Sequence, residues 1–126
     1  MKLINAPGAP DAIGPYSHGA TLNGVIFCSG QIPLDPETMK LVDGGIKAQT
    51  RQVFENMKAV LAGSNSSLGH VLKTTIFLAE MADFPVVNGL YAEAFGAHKP
   101  ARSTVQVAGL PLGALIEIEC IAVEAG

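Results

Sequence analysis

PARSTVQVAGLPLGALIEIE, residues Pro100 to Glu119, sets one arginine and two glutamates inside runs that otherwise alternate like half-buried β-strands. Arg102 opens the strand-like run Ser103 to Ala108, and its planar guanidinium suits two-point capture of a carboxylate, whether from a side chain or from a ligand. Glu117 and Glu119 alternate with Ile116, Ile118 and Cys120, so both point to one face of a second strand. Assigning Val105 and Val107 to the same core as Ile116, Ile118, Cys120 and Ala122 collects Arg102, Thr104 and Gln106 opposite, together with Glu117, Glu119, Ile121 and Val123. Such a face is too polar for a core and too apolar for plain solvent exposure, which fits a site or an interface. On pattern alone, a cross-strand ion pair between Arg102 and a glutamate is the commoner arrangement.

Outward from this stretch, the chain divides cleanly into elements. Ala20 to Leu22 and Val25 to Ser29 flank Asn23-Gly24, a pair that tolerates positive φ and makes a tight type I′ hairpin. Pro33, Asp35, Pro36, Asp43, Gly44 and Gly45 then mark a long surface loop. From Ile46 the apolar period becomes helical, with Ile46, Thr50, Val53, Phe54, Met57, Val60 and Leu61 on one stripe. Arg51 and Glu55 form an outward pair on this helix, and Gly63 is placed to end it. Val71 to Leu78 is rich in β-formers and follows the turn-prone SNSSLG. A second helix is predicted from Phe84 to Phe95, with Asp83 as N-cap, Pro85 in the first turn and Phe84, Val87, Tyr91 and Phe95 buried before Gly96. Strands near Arg102 to Ala108 and Leu115 to Val123 close the chain around the Gly109, Pro111 and Gly113 loop. This order predicts an α+β fold in two layers, with both helices on one face of a mixed sheet and the other face uncovered.

Composition narrows the function classes. The 126 residues make a single domain, and only 15% of them are charged, against roughly 25% in typical soluble domains. In so small a domain, that shortage implies surface buried against further copies. A net charge of −3, with scattered Lys and Arg, lacks the basic footprint of a nucleic-acid binder. MKLINAPGAP has no apolar targeting region and no membrane-length apolar window occurs, so a cytoplasmic location is expected. Cys28 and Cys120 read as reduced, buried small hydrophobes, and Asn65-Ser66-Ser67 as a chance glycosylation sequon. His18, His70 and His98 have no metal-ligand spacing, and neither a GxGxxG fingerprint nor a Walker A loop is present, so no metal and no cofactor is expected.

PARSTVQVAGLP followed by IEIE resembles the C-terminal signature of the RidA (YjgF-type) family of enamine/imine deaminases. GPYSHGA at Gly14 to Ala20, FCSGQIPLDP at Phe27 to Pro36, QTRQVFENMKAVL at Gln49 to Leu61, VLKTTIFLAEM at Val71 to Met81 and VVNGLYAEAF at Val86 to Phe95 are similar to the family's successive blocks, in the family's order. The resemblance implies a chorismate-mutase-like fold, two helices on a mixed six-stranded sheet, assembled as a homotrimer with sites in the clefts between subunits. It also implies hydrolytic deamination of 2-aminoacrylate-type enamines, through 2-imino acids such as 2-iminobutanoate and 2-iminopropanoate, to 2-keto acids and ammonia. By the same resemblance Arg102 binds the substrate carboxylate, Glu117 orients or activates water, and Tyr16, Ser29, Gly30, Asn88 and Thr104 line the site. Periodicity does not rank Glu117 above Glu119. Thr104 is a departure, because well-studied members often carry cysteine there, which bears on substrate preference. Two alternatives stay open from other classes: a module binding small carboxylates or proteins without turnover, and RNA cleavage, against which the acidic balance argues.

Overall fold

The sheet grows outward from the hairpin turned by Asn23 and Gly24, as seen in the computed structural model, which describes residues Met1–Gly126. Strands β2 (Gly19–Leu22) and β3 (Val25–Gln31) pair antiparallel across this turn. Both central residues take positive φ, 53° at Asn23 and 79° at Gly24, as the type I′ turn requires. Four further strands complete the sheet: β1 (Lys2–Ile4), β4 (Val71–Leu78), β5 (Ala101–Gln106) and β6 (Ile116–Val123). Their order is β1-β2-β3-β6-β4-β5, antiparallel throughout except for the parallel β4–β5 pair at one edge. The mixed six-stranded sheet is therefore as expected. Strand β1 leaves no signal in the sequence, since its three residues are too few to show a period.

Helices α1 (Gly45–Gly63) and α2 (Phe84–Phe95) pack side by side on one face. The expected stripe on α1 is buried except for Ile46, which is only partly covered, and Leu90 joins Val87, Tyr91 and Phe95 as a buried residue of α2. Val53, Phe54, Met57 and Leu61 of α1 meet Ile26, Ile76, Ile116 and Ile118 of the sheet in one core of 15 buried residues. Phe54 presents its edge to Tyr91 and to Phe95, each with ring centroids 5.9 Å apart, which locks the two helices together.

One local expectation is met by other means and two need correction. Gly63 is the last residue of α1, as expected, but the left-handed residue that turns the chain beyond it is Asn65, with φ of 55°. Gly63 is instead required for space, because a Cβ there would lie 2.7 Å from the Cβ of Ala6. Asp83 makes no capping hydrogen bond, since it sits with helical φ/ψ in a short 3-10 turn, Met81–Asp83, that leads directly into α2. Glu55 pairs with Lys58 at 3.4 Å rather than with Arg51, and both partners are exposed, so the pair contributes little.

The most consequential correction concerns β5. Its register pairs Thr74 with Arg102, Ile76 with Thr104 and Leu78 with Gln106. Thr74, Ile76 and Leu78 are buried beneath the helices, and paired residues share a face, so Arg102, Thr104 and Gln106 lie on the helix side. Ser103 and Val105 join Thr75, Phe77, Glu117 and Glu119 on the uncovered side. The hydrophobic pattern misassigned this strand because the uncovered side is itself apolar. Leu3, Leu22, Phe27 and Val105 lie on it with 58%, 57%, 53% and 43% of their surface exposed. Alternation identifies two faces of a strand without saying which one meets the helices.

Candidate active site

Glu117 sits on the uncovered face of β6 against a break in β3. The β3–β6 register shifts between Cys28 and Gln31, which places Ser29 and Gly30 in a bulge. The Glu117 side chain fills the space a side chain at position 30 would need: a Cβ on Gly30 would lie 2.8 Å from Cδ of Glu117. Gly30 is thus demanded by close approach rather than by its own backbone angles. Burial raises the Glu117 carboxyl above its ordinary range, and the charge of Glu119, two residues along the same face, raises it further. A carboxyl in this state exchanges protons more readily near neutrality than an exposed glutamate does.

Ser29 and Tyr16 join this group through the loop that precedes β2. The Ser29 hydroxyl donates to the Ser17 carbonyl at 2.7 Å, and its backbone N–H donates to the His18 carbonyl at 2.9 Å, so Ser29 fastens the loop to the bulge. Tyr16 is exposed, its hydroxyl accepts the Ile13 N–H at 3.4 Å, and it lines a small hollow together with Gly30 and His18. His18 went unnoticed in the sequence as a site element. Its ring is buried, with Nδ1 accepting the Ala6 N–H at 2.9 Å and Nε2–H donating to the Pro10 carbonyl at 2.7 Å. Both bonds require the neutral ring, and together they tie down the segment that carries Tyr16. A histidine set between Pro10 and the glycine that starts β2 was the available signal.

Arg102 belongs to a second group, on the β5 edge facing α2. Its Nη1 donates to Asn88 Oδ1 at 2.8 Å, and its guanidinium carbon stands 4.7 Å from the Tyr91 ring centroid and 5.2 Å from that of Phe84. Tyr91 is itself held by a 2.7 Å hydrogen bond between its hydroxyl and Thr74 Oγ1. The guanidinium therefore rests on an aromatic platform, with its remaining N–H groups left for a ligand. Helical spacing alone places Phe84 and Tyr91 in the core stripe and does not mark them as a platform. No carboxylate reaches Arg102, since the single ion pair of the chain is Lys58–Glu55, so the cross-strand bridge weighed above is not formed.

Thr104 adds a donor to the same edge. Val107 N–H donates to the Leu78 carbonyl at 2.9 Å, and alternation along a strand then turns the N–H of Thr104 away from β4. Strand β5 has no neighbour on that side, so this N–H is open. Its Oγ1 is buried and has no hydrogen-bond partner. Thr104→Val is accordingly expected to raise stability by about 1 kcal/mol, by removing an unpaired buried hydroxyl while keeping shape and backbone. Chemical denaturation checks this, and a lowered midpoint would mean that the hydroxyl is bonded after all.

The two groups do not meet within one chain. Glu117 pairs with Phe77 and Phe77 with Val105, so Glu117 and β5 are separated by two strand spacings, about 10 Å. Arg102 lies on the opposite face from Glu117. The β5 edge thus offers donors for a carboxylate, and the uncovered face, two strands in at β6, offers a proton-handling carboxyl beside a glycine. Among the described residues no cluster of His, Cys, Asp and Glu has the form of a metal site, and no helix is long and apolar enough to cross a membrane.

Comparison with known proteins identifies the family. The family described as Endoribonuclease L-PSP matches residues 6–124. Reactive Intermediate Deaminase A, chloroplastic, of Arabidopsis thaliana is 50% identical over 121 residues, which cover 96% of this chain and 65% of that protein. The 2-iminobutanoate/2-iminopropanoate deaminase of Mus musculus is 42% identical over 123 residues, 98% of this chain and 91% of that one. Among solved structures, E. coli TdcF with bound serine superposes with a TM-score of 0.92 at 39% identity, covering 99% of this chain and 100% of TdcF. With fold, length and sequence in agreement across the whole domain, this chain belongs to the RidA (YjgF-type) family.

Proposed function

We propose that this protein is a cofactor-free hydrolase of 2-enamino and 2-imino acids, releasing 2-keto acids and ammonia. The observation that carries the reading is Arg102, a stacked guanidinium without an ion-pair partner beside the open Thr104 N–H. That pair of donors suits one carboxylate bound through several hydrogen bonds. The names of the Arabidopsis and mouse relatives support the same chemistry.

In this mechanism the substrate carboxylate is gripped by Arg102 and the Thr104 N–H, with Asn88 fixing the guanidinium. An enamine first takes a proton from solvent at its terminal carbon and becomes the iminium, the protonated imine. Glu117 then takes a proton from water as the water oxygen bonds to the iminium carbon and the C=N π pair moves onto nitrogen, giving a neutral carbinolamine. Glu117 passes that proton to the amine nitrogen; collapse then forms the keto C=O, returns the hydroxyl proton to Glu117, breaks the C–N bond and expels ammonia, after which Glu117 releases to solvent the proton first taken up at carbon. Free imines hydrolyse in water unaided, so orientation plus one acid/base group is sufficient catalysis.

The reading requires a second copy of the chain, because Arg102 and Glu117 lie on opposite faces. A homotrimer places the Arg102 edge of one subunit against the Glu117 face of the next, and the exposed Leu3, Leu22, Phe27 and Val105 supply apolar contact surface. The test is a coupled assay in which another enzyme generates 2-aminoacrylate and keto-acid release is followed with and without this protein. Acceleration supports the deaminase. The serine in the TdcF structure favours a second reading, a carboxylate-binding module, since a saturated amino acid has no imine to hydrolyse. Saturable binding without acceleration would select that module, and nicking of purified RNA would select the nuclease.

A further inference from the structure

Between the C-terminal end of α2 and the start of β5 lies a cleft of about 380 Å³ that holds Arg102 and Asn88 and also takes in His98 and Lys99, which the deaminase mechanism does not use. It is lined by Asn88, Tyr91, Phe95, His98, Lys99 and Arg102 among others, and by no Asp or Glu. Its polar side chains are chiefly donors. Asn88 spends its carbonyl oxygen on Arg102, which leaves its amide N–H₂ without a protein partner. His98 Nε2–H is committed to the Val71 carbonyl at 2.6 Å, so its ring forms wall rather than ligand contact. Lys99 is exposed and makes no ion pair.

The negative end of the α2 dipole faces the same region and would oppose an anion. That effect is reduced, because the Ala92 carbonyl is capped by the Gly96 N–H at 2.9 Å and the Phe95 carbonyl by the His98 N–H at 3.2 Å. Arg102 and Lys99 are then the two cations of an acid-free lining, which is net positive.

We propose that this cleft is a subsite for a second carboxylate, with Lys99 as the specificity-determining residue. The ligands it fits are 2-imino dicarboxylates, the imines derived from aspartate or glutamate. The α-carboxylate sits on Arg102, and the side chain runs along the cleft toward Lys99. The proposal rests on the deaminase reading and extends it to a substrate class. The chemistry is unchanged: water adds to the imine carbon, the C–N bond breaks, and a 2-keto dicarboxylate and ammonia are released.

Generating iminoglutarate and iminopropanoate in situ with an amino acid oxidase allows kcat/KM to be compared on both. The ratio of iminoglutarate to iminopropanoate is expected to fall at least tenfold in Lys99→Ala, through KM, to fall further in Lys99→Glu, and to recover in Lys99→Arg. A ratio unmoved in the first two variants would overturn the subsite, and a change confined to the thermal midpoint would reduce Lys99 to a helix-end charge. Binding of 2-oxoglutarate and 2-oxobutanoate to the intact protein, measured by calorimetry, separates this proposal from the parent reading. If no imine is turned over, the deaminase fails, yet a preference for 2-oxoglutarate that disappears in Lys99→Ala still supports the cleft. Equal affinity for both keto acids in the native protein overturns it.

Discussion

Arg102→Lys is expected to lower kcat/KM by about 100-fold or more while leaving the protein folded, the size of loss associated with one misplaced donor to a reacting substrate. Lysine keeps the charge but not the planar fork. It cannot lie across Tyr91 and Phe84, donate to Asn88 and hold two carboxylate oxygens at once. The stability change should be small, because the guanidinium has no carboxylate partner and its stacking at an exposed edge is worth about 0.5–1 kcal/mol. Kinetics and thermal midpoint measured on one preparation separate the roles. An active variant with a lowered midpoint would make Arg102 a structural residue.

Glu117→Gln should fold normally and turn over about 100- to 10,000-fold more slowly, since the amide keeps the shape and cannot take a proton. The native protein should also lose activity in acid along a limb governed by Glu117. Its carboxyl is held above the ordinary range by burial and by Glu119, so that limb lies above about pH 4.3, the value of an unperturbed glutamate. Glu119→Gln removes the neighbouring charge and should move the limb toward acid without abolishing turnover. Stability carries the opposite sign. The folded protein holds this proton more tightly than the unfolded chain does, so stability falls as pH rises through the raised value, and Glu117→Gln should abolish that decline. Wild-type turnover in Glu117→Gln would transfer the role to Glu119 or to no side chain.

Much of this fold was legible because its signals are local. Asn23-Gly24 dictates a turn by backbone geometry alone, and Val71–Leu78 and Phe84–Phe95 match their observed bounds because turns and a glycine punctuate them. The face of β5 was not legible. Arg102 and Val105 alternate as expected, but the sheet has apolar residues on both sides, and only the register with β4 decides which side the helices cover. The same ambiguity hid the separation of Arg102 from Glu117, from which the proposed two-chain site follows. Phe84 and Tyr91 were read as core because helical spacing reports burial and says nothing about what stacks on the exposed rim of a ring. His18 acts through two backbone partners distant in sequence, which no spacing rule connects.

The central claim is that each site takes Arg102 from one chain and Glu117 from another, and subunit mixing tests it directly. Arg102→Ala and Glu117→Gln homo-oligomers, each nearly inactive, are dissociated, mixed in equal amounts and reassembled, with mixed assemblies verified by mass. Random assembly of a closed ring then leaves about one site in four with both native residues, so recovery toward about a quarter of native activity is expected. No recovery, in a preparation where mixed oligomers are shown to form, would place Arg102 and Glu117 in the same chain's site and contradict the shared cleft.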